Sequence, residues 1–116
     1  MVVCLPVTKE GQIGDGWGRA HDVAVARVDN ASGNVEEWDE YPVRWDEWHG
    51  QGGEGQHHAR MARFLMEHAV EQVICAHMGD GMLRMLQRMN VGVVVDVHGD
   101  AREAASRYGR LGGLPH

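Results

Sequence analysis

Three apolar runs constrain this chain more than any other feature: MVVCLPV at the start, VEQVICAHM around Val73, and VGVVVDV from Val91. Each is nearly continuous rather than alternating. That is the pattern of a strand buried on both faces, and such strands belong to sheets covered by helices on each side. Parallel neighbours of this kind need a crossover, usually helical, between them.

The segments between the runs supply those crossovers. From Gln56 onward, Ala59, Met61, Ala62, Leu65, Met66 and Ala69 follow helical spacing for about four turns. After the Gly79-Asp80-Gly81 turn, Met82, Leu83, Met85, Leu86 and Met89 mark a second helix, whose methionines read as core packing rather than a soft-metal box. Asp100 and Glu103 give an Asp-x-x-Glu start signal for a third, with Ala101, Ala104, Ala105 and Tyr108 on one face. Ahead of the first helix, DVAVARVD and VEEWDEYPV flank NASG, which has hairpin turn chemistry, and Pro42 pushes the later strand toward an edge.

The expected architecture is therefore a single α/β domain over residues 1–116, with a mixed five-stranded sheet flanked by three helices. Right-handed crossovers make strands one, four and five parallel, strand two is antiparallel, and the order 3-2-1-4-5 buries the apolar strands centrally.

In sheets of this type ligands sit beyond the carboxyl ends of the parallel strands, where loops gather and helix N-termini point. The expected topology maps His21, His49, His57, His58, His77 and His98 to that rim. His68 falls near the far end of a helix and His116 at the terminus. Neutral imidazoles converging from different loops suit iron, zinc, copper or nickel. His57 and His58, adjacent on one helix, point about 100° apart, so at most one of them serves as a primary ligand.

The helix-entry stretch WHGQGGEGQHH adds Gly50, Gly52, Gly53 and Gly55, which let backbone amides approach a bound anion ahead of a helix start. A mobile surface loop is the plain alternative. Arg19 lies between Gly18 and Ala20, small neighbours that leave its guanidinium open to an anion or to a surface ion pair. Trp17, Trp45 and Trp48 serve either as an aromatic wall around a site or as a lid on the core. Met78 and Gly79, which follow His77, reach the same rim.

Charge and cysteine usage narrow the function classes. A formal charge of -6 argues against a nucleic-acid partner, which needs a basic stripe. Val91 to Val95 is too short an apolar run to cross a bilayer, and MVVCLPV lacks the basic region of a signal peptide, so the expectation is a cytoplasmic protein without a membrane partner. Cys4 and Cys75, each inside a strand-like run and without a CxxC pattern, read as buried hydrophobes.

Taken together, GWGRAHDVAVARVD, WHGQGGEGQHHARMARFL, VEQVICAHMGDGMLRML and NVGVVVDVHGDAREA resemble the dinitrogenase iron-molybdenum cofactor-binding family over nearly the whole chain. The resemblance implies a ribonuclease H-like fold and non-catalytic binding or carriage of an iron-molybdenum, molybdenum or iron-sulfur cluster. A cofactor-donor or acceptor protein would be a further partner, with monomer and homodimer both open. On this reading Trp17, Gly18, Arg19, Gly52, Gly53, Gly55, Met78 and Gly79 bind the cofactor and His21, His49, His57, His58, His77 and His98 supply metal ligands. Family members often carry a histidine just before the aromatic residue of the Gly-Arg-Ala stretch; here that position is Gly16, leaving His21, His49 or His77 as substitutes.

Other classes have weaker support. A ribonuclease H-type nuclease needs a carboxylate on the first strand to hold its metals, and MVVCLPV has none. A mononuclear metalloenzyme with Glu54 or Asp80 as base lacks any zincin-type spacing. A metal-independent small-anion or protein-interaction module using the glycine-rich loop and Arg19 is the main alternative.

Overall fold

The computed structural model describes residues 1–48 and 53–110. The sheet has five strands in the order β3-β2-β1-β4-β5: β1 (Val2–Val7), β2 (Asp22–Val28), β3 (Val35–Tyr41), β4 (Gln72–Ile74) and β5 (Gly92–Val94). β1 pairs antiparallel with β2 and parallel with β4, β2 pairs antiparallel with β3, and β4 pairs parallel with β5. The expected α/β class, mixed sheet and strand order are all present. The β4 and β5 ladders are shorter than their apolar runs. β4 pairs with β1 only at Val3 and Cys4, so Pro6 lies past the end of that ladder, where a missing N–H breaks no pairing with β4.

The number of helices differs from the expected three. Among the described residues there are four: α1 (Trp45–Trp48), α2 (Gly53–Glu67), α3 (Asp80–Arg88) and α4 (Ala101–Tyr108), plus a 3₁₀ turn at Trp17–Arg19. α1 is a single turn after Arg44, whose φ of 56° lies in the left-handed region, and four residues are too few to show a helical period in sequence. α4 has the expected cap, Asp100 accepting from the Glu103 N–H at 2.9 Å.

The sheet separates two apolar layers. Cys4, Val23, Val73 and Cys75 face Trp17, Trp45, Met61, Leu65, Met82 and Leu86 from the 3₁₀ turn and α1–α3. On the other face Val3, Leu5, Ala24, Ala26, Ile74 and Val94 meet Ala101, Ala104 and Ala105 of α4. β1 contributes alternate residues to both layers, which is why its sequence reads as apolar throughout.

The face of α2 is rotated from the expected one. His57, Met61, Ala62 and Leu65 are buried, whereas Ala59, Met66 and Ala69 are exposed. Met66 is 65% exposed, and Ala69 lies beyond the helix end with a φ of 53°. Counting hydrophobic residues alone hid the inward position of His57.

The hairpin turn between β2 and β3 is closed by Asp29. Its carboxylate accepts from the Ser32 N–H at 2.7 Å, the Ser32 hydroxyl and the Ala31 N–H. These bonds, the Ser32 N–H foremost, hold its carboxyl below the ordinary carboxylate value. Gly33 follows at a φ of 80°. Among the described residues, no helix is long and apolar enough to cross a membrane.

Candidate functional site

The parallel strands end at Val7, Ile74 and Val94, and β2 begins beside the end of β1, with Val7 opposite Asp22. The segment after β1 is a folded rim element. Thr8 to Gln12 closes a tight turn, Ile13 bridges back to Val7, and the Ile13 N–H donates to the Gly99 carbonyl at 2.8 Å. This anchoring directs residues 15–19 across the end of the sheet toward the loop after β4.

There the Trp17 N–H donates to the His77 carbonyl at 3.0 Å. An open cleft of about 460 Å³ runs along the junction, lined by Asp15, Gly16, Trp17, Gly18, Arg19, His77, Met78 and Gly79. Arg19, His77 and Gly79 are exposed, while Trp17 and Met78 are buried. A side chain at Gly16 or Gly79 would meet nothing within 4 Å, so the backbone here is open to a bound group. Gly79 is also the N-cap of α3, so the positive end of that helix faces the rim, with Asp80 in its first turn.

Trp17, Gly18, Arg19, His77, Met78 and Gly79 are therefore brought together as the sequence suggested. His57 has a different place. It is 6% exposed, and its Nε2–H donates to the Gly18 carbonyl at 2.8 Å, so it sits behind the cleft wall and ties α2 to the 3₁₀ turn. A ring nitrogen donating to a carbonyl cannot coordinate a metal through the same atom. His58 is half-buried on the adjacent position of α2.

His98 lies in another cavity, of about 300 Å³, against α4, with its Nε2 3.3 Å from the Asp96 carboxylate. His21 borders a neighbouring cleft that shares Asp15, Gly16 and Arg19 with the first, and its ring faces Asp46. Gly53 and Gly55 open α2 and are exposed. His49, Gly50 and Gly52 lie outside the described residues. His21, His77 and His98 thus share the rim but not one pocket.

Trp17 and Trp45 are 1% and 2% exposed with ring centroids 4.9 Å apart, which makes them the lid of the core; Trp48 lies under the Arg60 guanidinium. The Trp17 Nε1 is buried with no hydrogen-bond partner among the described residues. Cys4 and Cys75 are fully buried. Burial pushes the Cys75 thiol up to about 12, and burial together with the nearby Cys75 pushes Cys4 up as well. Neither offers a thiolate at the rim.

Sequence reasoning missed Asp15 in the cleft and the carboxylates of Asp46 and Glu47 beside His21. Neither has a hydrophobic period to mark it, and the second requires knowing that residues 44–48 fold back onto residues 20–21.

A family model described as dinitrogenase iron-molybdenum cofactor matches residues 1–111. No curated protein matches the sequence. Solved structures share its fold, among them the following three. The crystal structure of PH0822 superposes with a TM-score of 0.72 at 15% identity, covering 93% of this chain and 89% of that one. A Methanocaldococcus jannaschii protein provisionally described as a dinitrogenase gives 0.66 at 13%, covering 93% and 86%. A Thermotoga protein provisionally described as a NifB protein and placed in the DUF35 family gives 0.60 at 23%, with the same coverage.

Proposed function

The chain belongs to the dinitrogenase iron-molybdenum cofactor family, and from that premise we propose that it is a non-catalytic binder or carrier of an anionic metal-sulfide cluster. The reading takes residues 1–116 as one cytoplasmic domain. It takes the fold as ribonuclease H-like, on the order β3-β2-β1-β4-β5 with β2 antiparallel.

The observation that carries this reading is the cleft between residues 15–19 and 77–79. Its donors suit a cluster that arrives assembled. The thiolates on which iron-sulfur clusters are normally built are absent from it, since both cysteines are buried in the core. What the cleft offers instead is one exposed imidazole at His77, an exposed guanidinium at Arg19 and open glycine backbone, over the buried Met78.

An anionic cluster with its own sulfides needs this combination: a nitrogen ligand for one metal, hydrogen-bond donors for sulfide, and positive charge for the whole. His77 supplies the ligand, standing in for the histidine that Gly16 replaces. Arg19 and the N-terminus of α3 balance charge, and His57 positions the 3₁₀ turn through Gly18. Release to a partner is consistent with so few strong ligands in an open cleft. The iron-molybdenum and iron-sulfur types are both compatible with this donor set.

The test is anaerobic incubation of tag-free protein with iron, sulfide and molybdate, followed by desalting and metal analysis. The expected result is a coloured, stoichiometric complex in wild type, lost in His77→Ala and weakened about tenfold or more in Arg19→Ala, as for loss of a charge-assisted contact. A metal-free wild type, or binding unchanged in both variants, would sink the reading. Phosphate binding that survives chelation and needs Arg19 would favour the small-anion module instead.

A further inference from the structure

We propose that His21, Asp46 and Glu47 form a mononuclear site for a divalent first-row transition ion, separate from the cluster cleft. His21 Nδ1 is 3.1 Å from both carboxylate oxygens of Asp46 and 3.6 Å from Glu47 Oε2, so an ion here would take the place of the Nδ1 proton that the Asp46 carboxylate accepts. One ligand atom from each residue lies within 4.8 Å of the other two. Bond lengths of about 2.0–2.2 Å from zinc-like ions to imidazole and carboxylate atoms fit one ion among donors spaced in this way.

Backbone bonds hold the two segments that carry these side chains together. The Arg44 N–H donates to the His21 carbonyl at 2.9 Å, and the Asp46 N–H donates to the Ala20 carbonyl at 3.3 Å. These two bonds bring the start of β2 alongside α1, and the left-handed φ of Arg44 turns the chain so that Asp46 and Glu47 return toward the imidazole. The Arg44 Nε lies 3.9 Å from Glu47 Oε2, on the same side as the His21 ring.

The donor set specifies the ion class. Magnesium and calcium take oxygen shells, whereas an imidazole with two carboxylates suits zinc, cobalt, nickel or iron(II), with water completing the coordination. Because His21 follows the 3₁₀ turn by two residues, an ion here clamps the turn that carries Trp17 and Arg19 onto α1. The site rests on none of the cleft residues, so its fate is independent of the cluster reading.

Cobalt(II) added alone to tag-free protein is the probe. One equivalent should bind with visible d–d absorption and raise the melting temperature by linkage. Both effects should vanish in His21→Ala and in the shape-preserving Asp46→Asn/Glu47→Gln pair, and persist in His77→Ala and His98→Ala. Circular dichroism of the unloaded variants establishes that they are folded, and the carboxamide pair carries the test if His21→Ala is not. Absence of cobalt binding by wild type at millimolar ion, or equal binding by the folded carboxamide pair, overturns the site. Loss of cluster loading in His77→Ala with cobalt binding intact would separate the two sites.

Discussion

The side chain of His57 carries as much structural information as any residue in the chain. Its position in an exposed-looking, glycine-rich helix entry made it a ligand candidate, yet it begins the buried stripe His57–Met61–Leu65 of α2 and donates to Gly18. Sequence pattern can place a histidine on the rim; it cannot say whether the ring faces the pocket or the wall behind it. His57→Ala should destabilise the fold by about 1–3 kcal/mol in urea unfolding, the cost of leaving a buried carbonyl unpaired together with lost packing. His57→Gln, which restores a donor, should recover part of that. The cysteines were legible at this scale, because a residue embedded in a continuous apolar run has little route to solvent. Their raised thiols make a second prediction. The unfolded thiol titrates near 9.0 and the folded Cys75 near 12, so the folded state favours the neutral form. That stability is whole below pH 9 and is lost as pH rises above it toward the folded value. Unfolding midpoints measured from pH 7 upward should fall more steeply for wild type than for a Cys4→Ala/Cys75→Ala pair, once each is normalised to pH 7.

Among the elements, α3 followed from periodicity, though it begins at Asp80 inside the expected Gly79-Asp80-Gly81 turn, α4 followed from periodicity and its Asp100 cap, and α2 was found but turned. The error on α2 came from Met66, which fits the helical spacing yet is 65% exposed. Leu65→Ala should cost about 2–5 kcal/mol by the creation of a core cavity, and Met66→Ala should stay within about 0.5 kcal/mol, measured by the same urea curves. The end of α4 gives a sharper test. A Cβ at Gly109 would lie 2.5 Å from the Ala105 carbonyl oxygen and 2.8 Å from Val28 Cβ, so backbone has to move. Gly109→Ala should cost about 1–3 kcal/mol, although nothing in the local pattern distinguishes this glycine from the open ones at the rim. A further tie that sequence could not show is Gln72, buried in β4, whose Nε2–H donates to the Tyr108 carbonyl at 2.6 Å. It joins the centre of the sheet to the last turn of α4.

For the molecule as a whole, strand order was legible because three apolar runs leave few ways to thread the crossovers, and the rim followed from that order; the run from Val91 did not prove doubly buried, since β5 is an edge strand with Gly92 and Val95 exposed. The convergence of histidines was not legible. Topology brings the ends of strands to one edge, but loop geometry divides that edge into separate clefts, with His77 in one, His21 in the next and His98 against α4. β1 belongs to both apolar layers, so neither can melt alone. In a Trp38→Phe/Trp48→Phe background, the fluorescence of Trp17 and Trp45, both in one layer, and far-ultraviolet circular dichroism should give coincident unfolding transitions; separated midpoints would show that the layers are independent.

The most direct test of the central claim, that the cleft between residues 15–19 and 77–79 holds a cluster through His77, is electron–nuclear spectroscopy of the anaerobically loaded, paramagnetic protein. The predicted result is an imidazole nitrogen coupling that disappears in His77→Ala and survives in His98→Ala. A spectrum with no nitrogen coupling, or one that His77→Ala leaves unchanged, would contradict it.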